Sequence, residues 1–242
     1  RVARWDGSTW HPMGEGLPDV WVRSIVSYQG QVYAGAYGAV YVWDGLQWSS
    51  AFETDGSVTS MIVHDGLLYV GGGFALAEGQ AHANVFAWDG SQILTLGSGF
   101  PQPVSSVTAG TAGVVFAGTS DSGASMVSRW DGSAWTVEMD NNIVFKVAYF
   151  GEDLVASAAV YLGGSMFTYR VLTNKTGSWE TLGDFHAEII LEHEGLLLAH
   201  VNAGVAPGIF SPGLIAHNGV GLQGVFSPNN GFDGNFEAVA AL

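Results

Sequence analysis

The chain has no cysteine. Disulfides, thiolate metal sites and cysteine nucleophiles are thereby excluded, although the absence assigns no compartment. Basic residues are also scarce: 7 Lys and Arg against 22 Asp and Glu in 242 residues give a net charge of −15. Phosphate recognition needs clustered Lys and Arg to displace counterions, so nucleic acid and anionic membranes are poor partners. No run of about 18 apolar residues is present, so no membrane-spanning helix and no membrane insertion are expected. Charged residues make up only 12 % of the chain and aromatics another 12 %, with 35 glycines. A disordered chain shows the reverse, high charge and few aromatics. No signal peptide is visible, and Arg1 to Trp5 already reads as the end of a strand, as in a piece excised from something longer.

What is present is a repeat. Trp5-Asp6-Gly7-Ser8-Thr9-Trp10, Trp43-Asp44-Gly45-Leu46-Gln47-Trp48 and Trp130-Asp131-Gly132-Ser133-Ala134-Trp135 share one pattern. Trp88-Asp89-Gly90-Ser91-Gln92-Ile93 keeps the turn and replaces the second Trp; Thr173 to Trp179 keeps that Trp and loses the Asp. His217-Asn218-Gly219 to Leu222 is the most worn copy. The apolar anchors fall at 10, 48, 93, 135, 179 and 222, at intervals of 38, 45, 42, 44 and 43. A period in the low forties built from short strands predicts an all-β fold, a β-propeller of four-stranded antiparallel blades.

The most regular repeat sets the reading. Val58–Val63 alternates as an inner strand, His64-Asp65-Gly66 makes a tight hairpin, and Leu67–Gly71 is the second strand. A loop from 72 to 84 leads to Val85–Trp88, and Asp89-Gly90-Ser91 turns the chain into Gln92–Leu96. Full blades are expected near 20–53, 57–97, 103–139, 143–183 and 187–226. Residues 1–13 supply only two strands, and Phe236 to Leu242 matches a first strand. The whole chain thus reads as one six-bladed domain whose last blade combines 1–13 with 236–242; the alternative is part of a chain of seven or more blades.

The Trp-Asp-Gly turn reads as structure rather than site. A Trp at a fixed place in each repeat fills the same volume between blades, and Asp-Gly is turn chemistry in which the carboxylate bonds nearby amides. A packing rule recurs in every copy, whereas a site is normally built once.

Residues 57–99 carry Tyr69-Val70-Gly71-Gly72, Phe74, Asn84, Trp88-Asp89-Gly90-Ser91 and Leu96-Gly97-Ser98-Gly99. This unit resembles the Trp-Asp-Gly repeats of secreted or surface bacterial proteins, similar in appearance to kelch and galactose-oxidase propellers. The resemblance fades after about residue 140, and Gly71-Gly72 is its only double glycine at the end of a second strand. It implies propeller packing and export, and it implies no activity, because such propellers serve as lectins, adhesion modules and enzyme scaffolds.

No convergent catalytic set stands out. The seven histidines show no metal-ligand spacing, and neither a nucleophile elbow nor a phosphate loop is present. His186, Glu188 and Glu192 would share one face of a regular strand, which allows a metal or acid–base site but also plain strand-end polarity. No cofactor is expected beyond a calcium-like grouping of Asn229, Asp233 and Asn235 that lacks the distal Glu of an EF-hand. Asn174-Lys175-Thr176 fits a glycosylation acceptor.

Loop lengths place the binding face. Turns between first and second and between third and fourth strands are short, while the second-to-third connections and the inter-blade links (14–19, 49–57, 98–103, 140–142, 184–186 and 226–235) vary and share one face. Variable loops on a rigid scaffold are where binding usually resides. The candidates there are Trp21, Phe74, His82, Phe100, Asp140, Asn141, Asp184, His186 and Phe210. Aromatics beside carboxylates and amides suit a protein or glycan partner. The expectation is a non-catalytic extracellular or cell-surface binding module; a carbohydrate-active hydrolase or lyase, and a structural subunit of a surface or filament assembly, are the alternatives.

Overall fold

The computed structural model describes residues 2–17, 21–119, 125–140, 142–163, 166–175, 177–184, 187–193, 196–201, 213–217 and 222–226. Two compact units divide the chain, Arg1–Val104 with Glu237–Leu242, and Ser105–Phe236. Among the described residues every regular element is a strand, and no helix is long and apolar enough to cross a membrane.

The first unit opens with a two-stranded hairpin, β1 (Ala3–Trp5) and β2 (Trp10–Pro12). β3 (Ser24–Tyr28), β4 (Gln31–Gly35) and β5 (Tyr37–Trp43) then pair in order, and β5 pairs with the start of β6 (Trp48–His64). The same β6 runs on to pair with β7 (Leu67–Gly73). After a small hairpin of β8 (Leu76–Ala77) and β9 (Gln80–Ala81), β10 (Val85–Trp88) and β11 (Ile93–Leu94) complete that sheet. The second unit contains three four-stranded antiparallel sheets. They are β12 (Val104–Gly110), β13 (Gly113–Thr119), β14 (Ser125–Trp130) and β15 (Trp135–Asp140); β16 (Ile143–Phe150), β17 (Asp153–Gly163), β18 (Met166–Asn174) and β19 (Trp179–Gly183); and β20 (Ala187–His193), β21 (Leu196–Val201), β22 (Gly213–His217) and β23 (Leu222–Phe226).

The turns explain the hairpins. Gln29–Gly30 and Asp65–Gly66 hold positive φ at both central positions (49° and 78°, 48° and 76°), the backbone whose twist matches paired strands. At the other hairpin type, Oδ1 of Asp6, Asp44, Asp89 and Asp131 accepts the backbone amides two and three residues on, at 2.7–2.8 Å. The carboxylate thereby closes each turn on itself. The paired tryptophans Trp5–Trp10, Trp43–Trp48 and Trp130–Trp135 stack across their hairpins at 5.2–5.4 Å with planes tilted 49–50°.

The core lies between successive sheets. Val2, Met13 and Leu17 pack on Ala34 at the first junction, and Phe52, Val58, Leu68 and Phe86 fill the next. In the second unit Val127, Met139, Val144 and Val147 share one layer, and Val155, Val171, Ala187 and Ile190 another. Each sheet thus buries a face only when its neighbour is present, which is the logic of a repeat fold.

Recurrent polar contacts join the layers. Trp48 Nε1 donates to Met13 O at 3.2 Å, and Trp179 Nε1 donates to Glu138 O at 2.9 Å. Both acceptors lie three residues past the preceding anchor. On the inner strands, Met61 N donates to Ser24 Oγ and Val147 N to Ser106 Oγ, at 2.9 and 3.1 Å. The amide that opens the following inner strand also finds an acceptor behind it: Val58 N on Ala36 O, Val144 N on Ser125 Oγ, Ala187 N on Ser157 Oγ. Buried amides need such partners, and the repeat supplies them from the previous sheet.

Three local features differ from the expected pattern. Residues 49–57, expected as a link, lie within β6, whose 17 residues join two expected blades into one continuous sheet from β3 to β11. The strand crosses β7 so closely that a Cβ on Gly72 would stand 2.0 Å from Ser57 O, and one on Gly56 1.9 Å from Gly73 O. The double glycine of the sequence is therefore the crossing point. The β12–β13 turn falls at Thr111–Ala112, one residue earlier than the pattern suggests. Inner strands carry register shifts between Val58 and Ser60, Val144 and Lys146, and Ala187 and Ile189.

Candidate functional site

In the first unit the long connection from β7 to β10 folds back as a flap, because each of its ends finds backbone partners. The β8–β9 hairpin turns at Glu78–Gly79, and β8 pairs with β6 through Thr54 and Ala77. Glu78 N donates to Glu53 O, while Ala75 N and Leu76 N donate to Asp55 Oδ1 at 2.8 Å. On the other side Phe100 N donates to Ala83 O and Asn84 Nδ2 to Phe100 O. The flap is thus tied to the segments before and after its own sheet. Asn84 sits at φ 69°, a conformation that asparagine tolerates better than most residues.

This arrangement gives the candidate residues different roles. Phe74 and Phe100 are 3 % and 1 % exposed, so their rings belong to the core under the flap. Phe74 packs on Phe86 at 5.5 Å. His82 is buried as well, edge-on to Phe86 at 5.8 Å, with Nδ1 lacking any hydrogen-bond partner. Burial pushes its pKa below the ordinary histidine value. Trp21, by contrast, is 69 % exposed. Among the expected site residues of this unit, Phe74, His82 and Phe100 come together through the flap, and Trp21 lies in the segment just before β3.

Other side chains complete the exposed rim. Tyr37 is 67 % exposed, and it and Trp21 stand two residues either side of the bond from Arg23 N to Gly35 O. Tyr37 pairs with Ser57, next along β6 from the exposed Asp55 and Glu53. Exposed Glu78 and Leu76 follow on the flap. Through Ser57, β6 thus carries exposed Asp55 and Glu53 on from Tyr37, with Glu78 of the flap bonded to Glu53. Sequence reading named Trp21 for this face and passed over Tyr37, Leu76, Glu53 and Glu78. The Glu78-Gly79 turn inside an over-long connection was the signal for the last of these; Tyr37 and Glu53 read as ordinary strand residues.

In the second unit Asp140 ends β15 and is exposed. Asp184 accepts from Arg170 Nε at 2.9 Å, an ion pair on the β18–β19 edge. Asn141, His186 and Phe210 lie outside the described residues, as do Asn229, Asp233 and Asn235 of the calcium-like grouping.

The chemistry available to these groups is limited. Glu78 Oε1 accepts Glu53 N and Asp55 Oδ1 accepts two flap amides, so both carboxylates are engaged by backbone. One cluster imitates a catalytic triad: His11 Nε2 lies 2.6 Å from Asp6 Oδ2 and 3.0 Å from Thr9 Oγ1. A base that relays a proton uses opposite ring nitrogens for nucleophile and acid, and here both oxygens meet the same one. The amide of Thr9, then His11 and Ser8, hold the Asp6 carboxyl far below the usual carboxylate range. Among the described residues no three His, Asp or Glu are placed to hold a metal ion.

No known protein family matches the chain in sequence, and no curated protein does. Solved structures do match. YCF48 bound to a D1 peptide superposes with a TM-score of 0.54 at 12 % identity, over 90 % of this chain and 71 % of that one. The WD40 repeats of RRP9 give 0.51 at 15 % identity, over 81 % and 63 %. An extracellular domain of BT4673 from B. thetaiotaomicron gives 0.50 at 11 % identity, over 89 % of this chain but only 35 % of its own length. The chain thus spans about a third of that domain and under two thirds of RRP9. WD40 repeats are propeller blades. The four-stranded antiparallel sheets of the second unit and the continuous sheet of the first, with these neighbours, define an all-β protein of the β-propeller fold.

Proposed function

We propose that this chain is a non-catalytic propeller module that binds a protein partner through its loop face, outside the cell or at its surface. One observation carries the reading: two large aromatic side chains, Trp21 at 69 % and Tyr37 at 67 % exposure, flank a bonded backbone pair, and Tyr37 pairs with β6, which carries exposed Asp55 and Glu53 beside Glu78 of the flap. Exposed aromatics of this size on a rigid sheet edge provide anchor area at low entropic cost. Carboxylates already oriented by backbone amides add fixed negative charge, and the chain's net charge of −15 extends that field. The partner that fits is an extended, basic segment with an apolar side chain. That YCF48 holds a peptide and that the BT4673 domain is extracellular both suit the proposal. So does the resemblance to exported Trp-Asp-Gly repeats. Six blades, the last combining 1–13 with 236–242, remain the proposed architecture, and Asp140, Asn141, Asp184, His186 and Phe210 the proposed extension of the face in the second unit.

A peptide array and a glycan array probed with the whole chain test this directly. The expected result is capture of basic peptides, weakened about tenfold by Trp21→Ala or Tyr37→Ala, since an anchor ring contributes a kcal/mol or more. Leu46→Ala, on the opposite turns, should leave binding unchanged. Capture on the glycan array alone would move the reading to a lectin, whose sugar ring would lie on the same aromatics. Binding unaffected by both aromatic variants would overturn the assignment of the face.

A further inference from the structure

Among the histidines whose side chains are described, His82 is the exception. His11 and His64 each have a carboxylate within reach, at 2.6 Å from Asp6 and 3.3 Å from Asp65. His82 is 8 % exposed, its ring rests on Phe86, and its Nδ1 has no partner. Its own backbone is used on both sides, with His82 N donating to Ala75 O and Val85 N donating to His82 O. The ring is therefore held under the flap rather than at its surface.

No carboxylate faces the ring. β10 contributes the Phe86 ring, and the acids on the flap and on β6 are Glu53, Asp55 and Glu78, all exposed. Glu78 and Asp55 face backbone amides instead, and burial alone accounts for the lowered pKa, with no carboxylate contribution. A protonated imidazole here would bury an uncompensated charge, which proteins avoid by neutralising the group or exposing it. Exposure requires the flap to open. The flap is a short segment held at its flanks by the hydrogen bonds of Glu53, Asp55, Glu78, Ala83, Asn84 and Phe100, and such peripheral segments open at lower free energy than the sheet beneath.

We propose that His82 makes the flap of residues 74–84 an acid-opened element: mild acidification protonates the buried imidazole and releases the flap while β6, β7 and β10 stay paired. The direction follows from linkage. The folded flap holds His82 neutral below its ordinary pKa, so its closure is fully stabilised above that value. That stabilisation is lost as pH falls from the ordinary value toward the folded one. Opening would uncover Phe74 and part of the Phe86 face beside the acidic rim, changing what the loop face presents.

Hydrogen–deuterium exchange on the whole chain, corrected for intrinsic rates, reads this out between about pH 7.5 and about pH 5. The expected result is that flap amides lose protection about tenfold per pH unit once below the ordinary histidine range, as one proton per opening requires. Amides of β7 other than Gly72, which donates to Asn84 O, should stay protected throughout. His82→Phe should flatten the flap profile. A flat profile in the native chain, or the same rise in the variant, overturns the proposal. Should the variant fold poorly, NMR titration of the His82 ring in the native chain decides: a midpoint below 6.5 that tracks flap opening supports the proposal, and one at or above 6.5 sinks it.

Discussion

The Asp of each Trp-Asp-Gly turn is a backbone ligand, and its acidity records that. Asp89 falls to about 2 from the usual 3.8, through the amide of Gln92 first and then the hydroxyl and amide of Ser91. Asp44 and Asp131 shift the same way, led by the amides of Gln47 and Ala134. These bonds favour the carboxylate in the folded state, so their stabilisation is complete above the unfolded value and fades as pH drops from there toward the folded one. Acid unfolding should accordingly steepen between about pH 4 and about pH 2. Asp89→Asn keeps an oxygen for both amides but cannot titrate. It should leave the melting temperature at neutral pH nearly unchanged and soften the acid limb, as thermal melts across pH would record. Asp89→Ala should lower the melting temperature at every pH. Gly72 makes the opposite kind of demand, for space. A Cβ there would meet the backbone oxygen of Ser57 at 2.0 Å, which no rotamer can relieve. Gly72→Ala should cost about 3 kcal/mol in urea unfolding, at the upper end for overpacking.

At the scale of elements, stacking depends on a small set of repeated hydrogen bonds. Ser106 is buried, and its hydroxyl accepts Val147 N while donating to Val147 O. Ser106→Ala would strand a buried amide, so a loss of about 2 kcal/mol is expected, well above the effect of an ordinary surface substitution. Equilibrium denaturation of the variant beside an exposed control such as Ser133→Ala checks it. The four-stranded antiparallel sheet was legible in the sequence because its determinants are local: alternation in the strands, Asp65-Gly66 at one turn, Trp88-Asp89-Gly90 at another. The identity of the turn Asp as a backbone acceptor was legible for the same reason. What escaped is non-local. Continuity of β6 through 49–57 depends on β5, β7 and β8 all offering partners. Burial of Phe74 and Phe100 depends on the flap folding back through Asn84, so two residues that read as a binding platform are core. The serine contacts carry no pattern of their own, since serine is as common in turns as in inner strands. Tyr37 was invisible because its exposure is set by where its neighbours end, not by its own strand.

On the scale of the whole molecule, the N-terminal hairpin is the place where repeat logic is incomplete. β1 pairs only with β2 among the described residues, whereas every other third strand also pairs with a second strand. The consequence shows in the tryptophans. Trp5 and Trp10 are 49 % and 68 % exposed, while Trp130, in the same place of a complete sheet, is 7 % exposed. An unpaired strand edge next to exposed indoles is a surface that chains normally cover. The sequence offers a cover, since Phe236 to Leu242 reads as a first strand, although that segment lies outside the described residues. If it completes the blade begun by residues 1–13, deleting 236–242 removes a non-local closure and exposes the hairpin. The melting temperature should then fall by several degrees, and the amides of Ala3–Trp5 should lose exchange protection before those of β12 to β15. Trp48→Phe gives an independent handle, because it removes the bond to Met13 O at a cost of about 1 kcal/mol and loosens the same hairpin from the other side. If the C-terminal segment closes this blade, the two changes should be less than additive, since each frees part of one element. Strict additivity, or a deletion without effect on Ala3–Trp5, would mean that the hairpin is covered by something else or stands alone, and the six-bladed closure would have to be given up.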